Sequence, residues 1–420
     1  MRTTISERSS APLSHTPATE LPILQLKRGE DRRLRAGHLW VFSNEVDTAA
    51  TPLTALQPGQ LVQVMADRGQ FLGQAYVNPR TLICARIVSR HRSPAVDRRF
   101  LQTRLASALA LRERLYSVPF YRWCFGESDG LPGLILDRFG DVVVGQLSTA
   151  GMESLRAEVE AAIRAVLAPR ALVWKNDTGA RDLEQLPRGV EIAWGEPGAE
   201  LAVQEQLPDG RTLQFVSPLA EGQKTGWFFD QTANRARLTQ LMAPGARVLD
   251  VCSYVGAWGV TAGKSGASAV ACVDSSQRAL DHVARNAAAN GVAIEPIKAD
   301  AFDALEALLA AGRRFDVIVL DPPAFIKRKK VLAQGQAAYR KLNQLALRLL
   351  ENDGLLVSCS CSWHLEPEML VGAIQSAARH VDRFVQIIST GGQSPDHPVH
   401  PAIPETRYLK AYFCRVTHDV

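Results

Sequence analysis

The chain is most constrained by one apolar run that ends in a carboxylate and breaks into a glycine turn. Val248-Leu249-Asp250-Val251 passes into Cys252-Ser253-Tyr254-Val255-Gly256-Ala257-Trp258-Gly259. A short run without polar alternation suits a strand covered on both faces, as in parallel sheets. From Val248 onwards the pattern recurs. Apolar strands near 247–252, 269–273, 293–297, 316–320, 354–359, 384–388 and 409–415 alternate with amphipathic helices. One helix, over 275–290, opens on Ser275-Ser276 and closes on Asn290-Gly291, which are start and stop signals. This is the βαβ signature of an α/β fold with a Rossmann-like sheet, whose ligand lies beyond the carboxyl ends of the strands.

The turn narrows the ligand. The pattern G-x-G-x-x-G is absent, since Gly256-Ala257-Trp258-Gly259 holds only two glycines. A pyrophosphate cradle is therefore disfavoured. The amino-acid and ribose part of S-adenosylmethionine suits the turn better, with Asp250, Ser253, Tyr254 and Gly256 around it. Asp274 closes the next strand about 20 residues on, where an acid bonds ribose hydroxyls, and Ser275 follows it. Asp300 reads as the contact to the adenine amino group, which leaves Asp303 as a helix cap.

Two later motifs carry chemistry. In Asp321-Pro322-Pro323-Ala324-Phe325 the prolines fix a rigid, extended exit from a strand. They aim Asp321 and Phe325 into a cleft, where a carboxylate accepts from a base amino group and a ring stacks on an extruded base. A merely rigid loop is the bland alternative. Cys361 follows the apolar run of Ser358-Cys359-Ser360. Cytosine carbon-5 is a poor nucleophile until a thiolate adds to carbon-6, and a cysteine facing the Asp-Pro-Pro loop is placed for that addition. Cys359, inside the strand, reads as structural.

At 420 residues the chain exceeds what one core holds, so two or three domains are expected. Residues 1–20 read as a disordered tail without the apolar segment of a secretory signal. Short strands broken by Pro58-Gly59, Gly69 and Asn78-Pro79 make 21–96 a small β-barrel. A helix over 97–117, a hairpin across Arg138–Asp141, a helix over 151–167 and strands at 171–174 and 212–216 make 97–217 a central α+β domain. Residues 218–420 hold the parallel sheet. The net charge of +5 permits an anionic partner without requiring one. Basic residues gather at Lys27, Arg28, Arg32, Arg33 and Arg35, at Arg86, Arg90, Arg92, Arg98 and Arg99, and at Lys327, Arg328, Lys329 and Lys330. Each cluster is either a solvated face or a phosphate-binding one, and the last adjoins the Asp-Pro-Pro motif. Seven cysteines without a C-x-x-C spacing indicate reduced thiols in a cytoplasmic protein rather than disulfides or a zinc site. No metal is expected. No apolar stretch is long enough for a transmembrane helix.

These residues, in this order, closely resemble bacterial ribosomal large-subunit cytosine-C5 methyltransferases of the RlmI type. The resemblance covers about 21–420 and extends to Gly37-His38-Leu39-Trp40-Val41-Phe42-Ser43, to Gly126-Glu127-Ser128-Asp129-Gly130-Leu131-Pro132-Gly133-Leu134 and to Glu221-Gly222-Gln223-Lys224-Thr225-Gly226-Trp227-Phe228-Phe229-Asp230-Gln231. Asp396-His397-Pro398 and Glu405–Lys410 complete it. It implies an N-terminal PUA RNA-binding domain, a central α/β domain and a class I methyltransferase domain using S-adenosylmethionine on large-subunit rRNA. By matching position, Gln223, Thr225 and Phe229 belong to the cofactor site, with Gln223 and Thr225 at its methionine end. Lys224 and Asp230 shape the cleft, Cys361, Asp321 and Lys224 carry catalysis, and Asp321 also touches the cofactor. RNA contacts fall to Pro322, Phe325, Lys327 and Arg328 beside the target base, and to Arg32, Arg33 and Trp40 in the N-terminal domain. Homodimers occur in the family. One departure is that the second cysteine of many RNA cytosine-C5 enzymes is replaced by Ala324. Related enzymes with a similar Asp-Pro-Pro-x-Phe methylate guanine N7 without a thiol, so a base nitrogen is the first rival target. A non-catalytic RNA-binding assembly factor is the second rival, and a small-molecule methyltransferase is a weaker third.

Overall fold

The computed structural model describes residues 21–93 and 95–418; the tail assigned to 1–20 lies outside them. Strands β1 (Ile23–Gln25), β2 (Trp40–Phe42), β3 (Leu61–Met65), β4 (Phe71–Val77) and β5 (Ile83–Ser89) form one sheet, in the order β1-β3-β4-β5-β2. Alternate residues of these strands, such as Val62 and Val64, Leu24 and Leu26, or Ala85 and Ile87, fill a common core. Strand β2, three residues long, is too short to show a period and is absent from the sequence reading.

The helix Arg98–Leu115 follows, capped by the Asp97 carboxylate, which accepts from the Phe100 N–H at 2.9 Å. It packs on a second sheet built from β6 (Phe120–Phe125), β7 (Leu134–Phe139), β8 (Val142–Leu147), β9 (Ala171–Lys175) and β10 (Val190–Trp194), in the order β10-β9-β8-β7-β6. The single helix expected over 151–167 is two, Ala150–Ser154 and Arg156–Val166, broken at Leu155. A hairpin of β11 (Glu200–Gln206) and β12 (Thr212–Pro218) leads onward.

The last sheet contains β13 (Arg247–Val251), β14 (Ala269–Asp274), β15 (Glu295–Lys298), β16 (Phe315–Leu320), β17 (Leu350–Ser360), β18 (Arg383–Gly391) and β19 (Lys410–His418). Its order is β15-β14-β13-β16-β17-β19-β18. The first five strands run parallel, and β19 lies antiparallel between β17 and β18. The strand order reverses between β13 and β16, and a crevice opens at that switch, beyond their carboxyl ends. Each face of the sheet carries its own apolar cluster, one around Leu249, Ile318 and Leu356 and one around Val248, Val317 and Val357. Full burial of each such side chain contributes about 1.5–3 kcal/mol.

Asp396 ties the last unit to the middle one. Its carbonyl accepts from Arg112 Nη2 at 2.7 Å and its carboxylate from the Arg122 N–H at 2.8 Å. All three residues are buried.

Candidate active site

At the switch point lies a cavity of about 410 Å³. Its residues form four walls, each set by a local feature of the sequence.

The turn after β13 is the first. Cys252, Tyr254 and Gly256 all take positive φ, of 65°, 50° and 84°. Three left-handed residues within five reverse the chain tightly and store strain where a ligand binds. The turn is held from below: Asp250 Oδ2 accepts from the Gly259 N–H at 3.0 Å, and Asp274 Oδ2 accepts from the Tyr254 N–H at 2.9 Å. Gly259 has no side chain because a Cβ there would sit 2.5 Å from Cys272 Sγ. Burial pushes the Asp250 carboxyl up to about 7, and the negative charges of Asp321 and Asp274 add to the rise. Asp250 therefore lies beneath the cavity, and its Oδ1 and the Ser253 hydroxyl are buried without a partner. Gly256 starts the next helix without lining the cavity.

Asp274, Ser275 and Asp300 line the next wall. Asp300 also caps a helix, its Oδ1 accepting from the Phe302 N–H at 2.8 Å. The cap assigned to Asp303 is therefore Asp300, because its backbone is still extended where the helix begins.

The third segment is Asp321–Phe325. Trp258 Nε1 donates to Asp321 Oδ2 at 3.0 Å, and Gln231 Nε2 spans both carboxylate oxygens at 2.9 and 3.0 Å. Burial raises the Asp321 carboxyl to about 6 despite these donors. Phe325 is backed by Tyr339, ring centroids 4.9 Å apart, and stacked on Phe302 at 6.2 Å. Pro322 is buried on the same wall, while Lys327 and Arg328 project into solvent just past it.

Gln223–Gln231 and Cys361 supply the fourth. Lys224, at φ 52°, sets Nζ 3.3 Å from Asp230 Oδ2 and 4.6 Å over the Phe228 ring. Tyr408 donates to the same oxygen at 2.5 Å, whereas Asp230 Oδ1 is buried with no donor. Burial works to raise the Asp230 carboxyl, but Lys224, His397 and the Tyr408 hydroxyl together hold it well below the usual carboxylate range. Cys361 fronts the cavity with Lys224, Asp230 and Asp321. Burial pushes its thiol up and Lys224 pulls it down, while Asp321 and Asp230 oppose the lysine. Cys359 is fully buried in the core behind it.

Several assignments move. Thr225, expected at the methionine end of the cofactor, points inward and donates to Asp137, which is already paired with Arg122. Phe229 also turns into the core, 5.2 Å from the Phe139 ring. Both are buried within this irregular segment, whereas Lys224 and Phe228 face the cleft. Arg32 is exposed, Arg33 is paired with Glu45 at 2.6 Å, and Trp40 donates to Glu127 at 2.9 Å. None of these three lines the cavity. Gln231, Trp258, Tyr408 and Lys410 were not singled out by the sequence. Lys410 Nζ donates to the carbonyls of Ser362 and Leu365 at 2.7 and 2.8 Å, pinning the loop after Cys361. Its one signal was a lysine opening an otherwise apolar strand. Among the described residues no acid, histidine and thiol cluster could hold a metal, and no helix is long and apolar enough to cross a membrane.

Comparison with known proteins agrees with this architecture. A PUA-like domain model matches residues 24–90, and an S-adenosylmethionine-dependent methyltransferase model matches 190–412. A Klebsiella pneumoniae protein named ribosomal RNA large subunit methyltransferase I is 34% identical over 404 residues, covering 94% of this chain and 98% of that one. Its namesake from Escherichia coli O139:H28 is 33% identical over 400 residues, covering 94% and 99%. Among solved structures, an S-adenosylmethionine-dependent methyltransferase from Streptococcus mutans superposes with a TM-score of 0.78 at 21% identity, over 94% of this chain and 100% of that one. A methyltransferase complexed with S-adenosylhomocysteine superposes at 0.80, also at 21% identity and the same coverage. At that identity the two structures speak for the fold. The cavity suits the cofactor of the matched family: Asp274, Asp300 and Asp321, at or just beyond the ends of β14, β15 and β16, line it, and Ser253 Oγ is without a hydrogen-bond partner.

Proposed function

The chain belongs to the ribosomal RNA large subunit methyltransferase I family, an S-adenosylmethionine-dependent group, and from that premise we propose that it methylates carbon-5 of a cytosine in large-subunit rRNA through a transient bond to Cys361. The observation that carries this reading is the single cavity shared by Cys361, Lys224, Asp321 and Phe325. The bound cofactor supplies an electrophilic methyl group, and Asp274, Asp300, Ser253, Tyr254 and Gln223 would hold it.

The protein's own groups divide the remaining work. Phe325, braced by Tyr339, gives the extruded base a face to stack on. Asp321, with a carboxyl near 6, is able to protonate or hydrogen-bond the N3 edge, which draws electrons from carbon-6. Lys224 favours the thiolate of Cys361, the form that adds to carbon-6. Lys410 fixes the loop behind that thiol. After alkylation carbon-5 carries a proton that must leave before the C6–S bond breaks. Ala324 offers no group for it. Asp230, a carboxylate on the cavity wall with Cys361 and Lys224, is placed to take it. The electron pair then restores the C5–C6 double bond and expels the Cys361 thiolate.

Mass-spectrometric mapping of modified nucleosides in large-subunit rRNA, from cells carrying the wild-type gene, no gene or Cys361→Ala, tests this. We expect 5-methylcytidine at one site with wild type alone. Methylation retained by Cys361→Ala, or 7-methylguanosine as the missing nucleoside, would overturn the covalent route.

A further inference from the structure

A second cleft shares no lining residue with the methyl-transfer cavity. It encloses about 730 Å³ between the end of β5, the helix Arg98–Leu115, the turn Glu127–Gly130 and His400. Arg104, Ser107, Ala108, Leu111 and Arg114 share one face of that helix, at spacings of three and four residues. Small side chains make the floor low, and the two arginines stand about 15 Å apart along the axis. Arg90 enters from the opposite wall, its Nη2 donating to the His38 carbonyl at 2.8 Å.

The charge balance of this cleft is one-sided. Both of its carboxylates are neutralised from outside the cleft. Glu127 accepts from Trp40 at 2.9 Å and pairs with Arg86 at 3.8 Å. Asp129 takes a bidentate pair from Arg112, both distances 2.7 Å. By contrast Arg90, Arg104 and Arg114 have no carboxylate within salt-bridge distance among the described residues. Room is kept for them: a Cβ on Gly130, whose φ is 69°, would lie 3.0 Å from Arg104 Nη1. Ser128 Oγ, on the same rim, is buried with no partner. Three guanidinium groups without a carboxylate partner, in a cleft whose own carboxylates are engaged elsewhere, make a site for a string of anions.

We propose that this cleft holds the sugar-phosphate backbone of the substrate RNA, through Arg90, Arg104 and Arg114, while the target base enters the methyl-transfer cavity. This rests on the reading of rRNA as substrate. It relocates RNA binding in the N-terminal half from Arg33 and Trp40, which the fold uses internally, to the seam between the barrel and the helix.

The test is binding of the full-length protein to deproteinised large-subunit rRNA across a salt series, with wild type, Arg104→Glu/Arg114→Glu and Arg379→Glu as an exposed control outside the cleft. Each lost phosphate contact lowers the slope of log affinity against log salt by about 0.7–0.9. The double variant should therefore bind about tenfold or more weaker at 0.1 M salt, with a slope smaller by about 1.4–1.8. Its KM for RNA should rise with kcat retained at saturation, and S-adenosylmethionine affinity should stay unchanged. Arg104→Gln/Arg114→Gln, which removes charge without reversing it, supplies the same reading should the reversal unfold. Unchanged affinity and slope, or an equal loss in Arg379→Glu, overturns the cleft assignment alone. A wild-type protein that binds no rRNA overturns the substrate reading instead.

Discussion

Replacing Gly259 with Ala tests how the cofactor turn is built. A Cβ at this position lands 2.5 Å from Cys272 Sγ, 3.2 Å from Val270 Cγ1 and 3.4 Å from Asp250 Oδ2. Cys272 is fully buried, so its sulfur has nowhere to go. The helix must instead lift from the strand, which stretches the bond from the Gly259 N–H to Asp250. Overpacking costs about 1–3 kcal/mol, and loss of a hydrogen bond to a buried carboxyl costs about 1–3 more. We expect a total of about 2–6 kcal/mol in urea unfolding, and at least tenfold weaker S-adenosylmethionine binding by calorimetry, about 1.4 kcal/mol. Cys272→Ala alone should cost about 1 kcal/mol. Combined with Gly259→Ala it removes the nearest clash, so the pair should be less damaging than the sum by about 1–2 kcal/mol. Gly256→Ala behaves differently. There the penalty is the left-handed backbone at φ 84°, and shortening Val283 cannot relieve it. A Gly259→Ala protein within about 0.5 kcal/mol of wild type, or a strictly additive double variant, would refute the close-approach reasoning.

Four further outcomes follow from the site. Cys361→Ala should abolish 5-methylcytidine formation while S-adenosylmethionine affinity, by calorimetry, stays within about threefold (about 0.7 kcal/mol) of wild type. Asp230→Asn should let methyl transfer occur but stall release, so a denaturant-stable protein–RNA adduct carrying labelled methyl accumulates; its absence would remove Asp230 as the base. Thr225→Val should lower stability by about 1–3 kcal/mol through the lost bond to Asp137, with Thr225→Ser close to wild type and cofactor affinity little changed in either. The Asp250 carboxyl, at about 7 when folded and about 3.9 unfolded, holds a proton that the unfolded chain has already released between those values. Its contribution to stability is therefore greatest below about pH 4 and falls as pH rises towards 7. Asp250→Asn should flatten that decline by an amount of order 3 kcal/mol, read as the difference between urea unfolding at pH 5 and pH 8.

Much of this protein is local and was therefore legible in the chain. Parallel strands buried on both faces write themselves as unbroken apolar runs, and so β13, β14 and β16 lay close to where the sequence put them. The acids Asp274, Asp300 and Asp321 followed, because each closes or follows a strand, and all three reach the cavity. Cys361 stood out from Cys359 because it follows the apolar run, and it lies just past the end of β17 on the cavity, whereas Cys359 lies inside the strand and its core.

What the chain could not determine was direction across long separations. Whether Thr225 met a cofactor or Asp137 depended on a partner 88 residues away. The grip of Gln231 and Trp258 on Asp321 joins residues 90 and 63 positions apart, and that of Lys410 on the loop after Cys361 exists only once β19 is inserted beside β17. Arginine clusters looked alike as text. Folding paired Arg33 and Arg86 of those clusters with carboxylates, and left Arg90, together with Arg104 and Arg114 from outside the clusters, lining a cleft without a carboxylate partner. Local pattern fixes which residues can form an element. Only packing decides which of their charges meet, because the Coulomb partner of a side chain is chosen by distance in space rather than by spacing along the backbone.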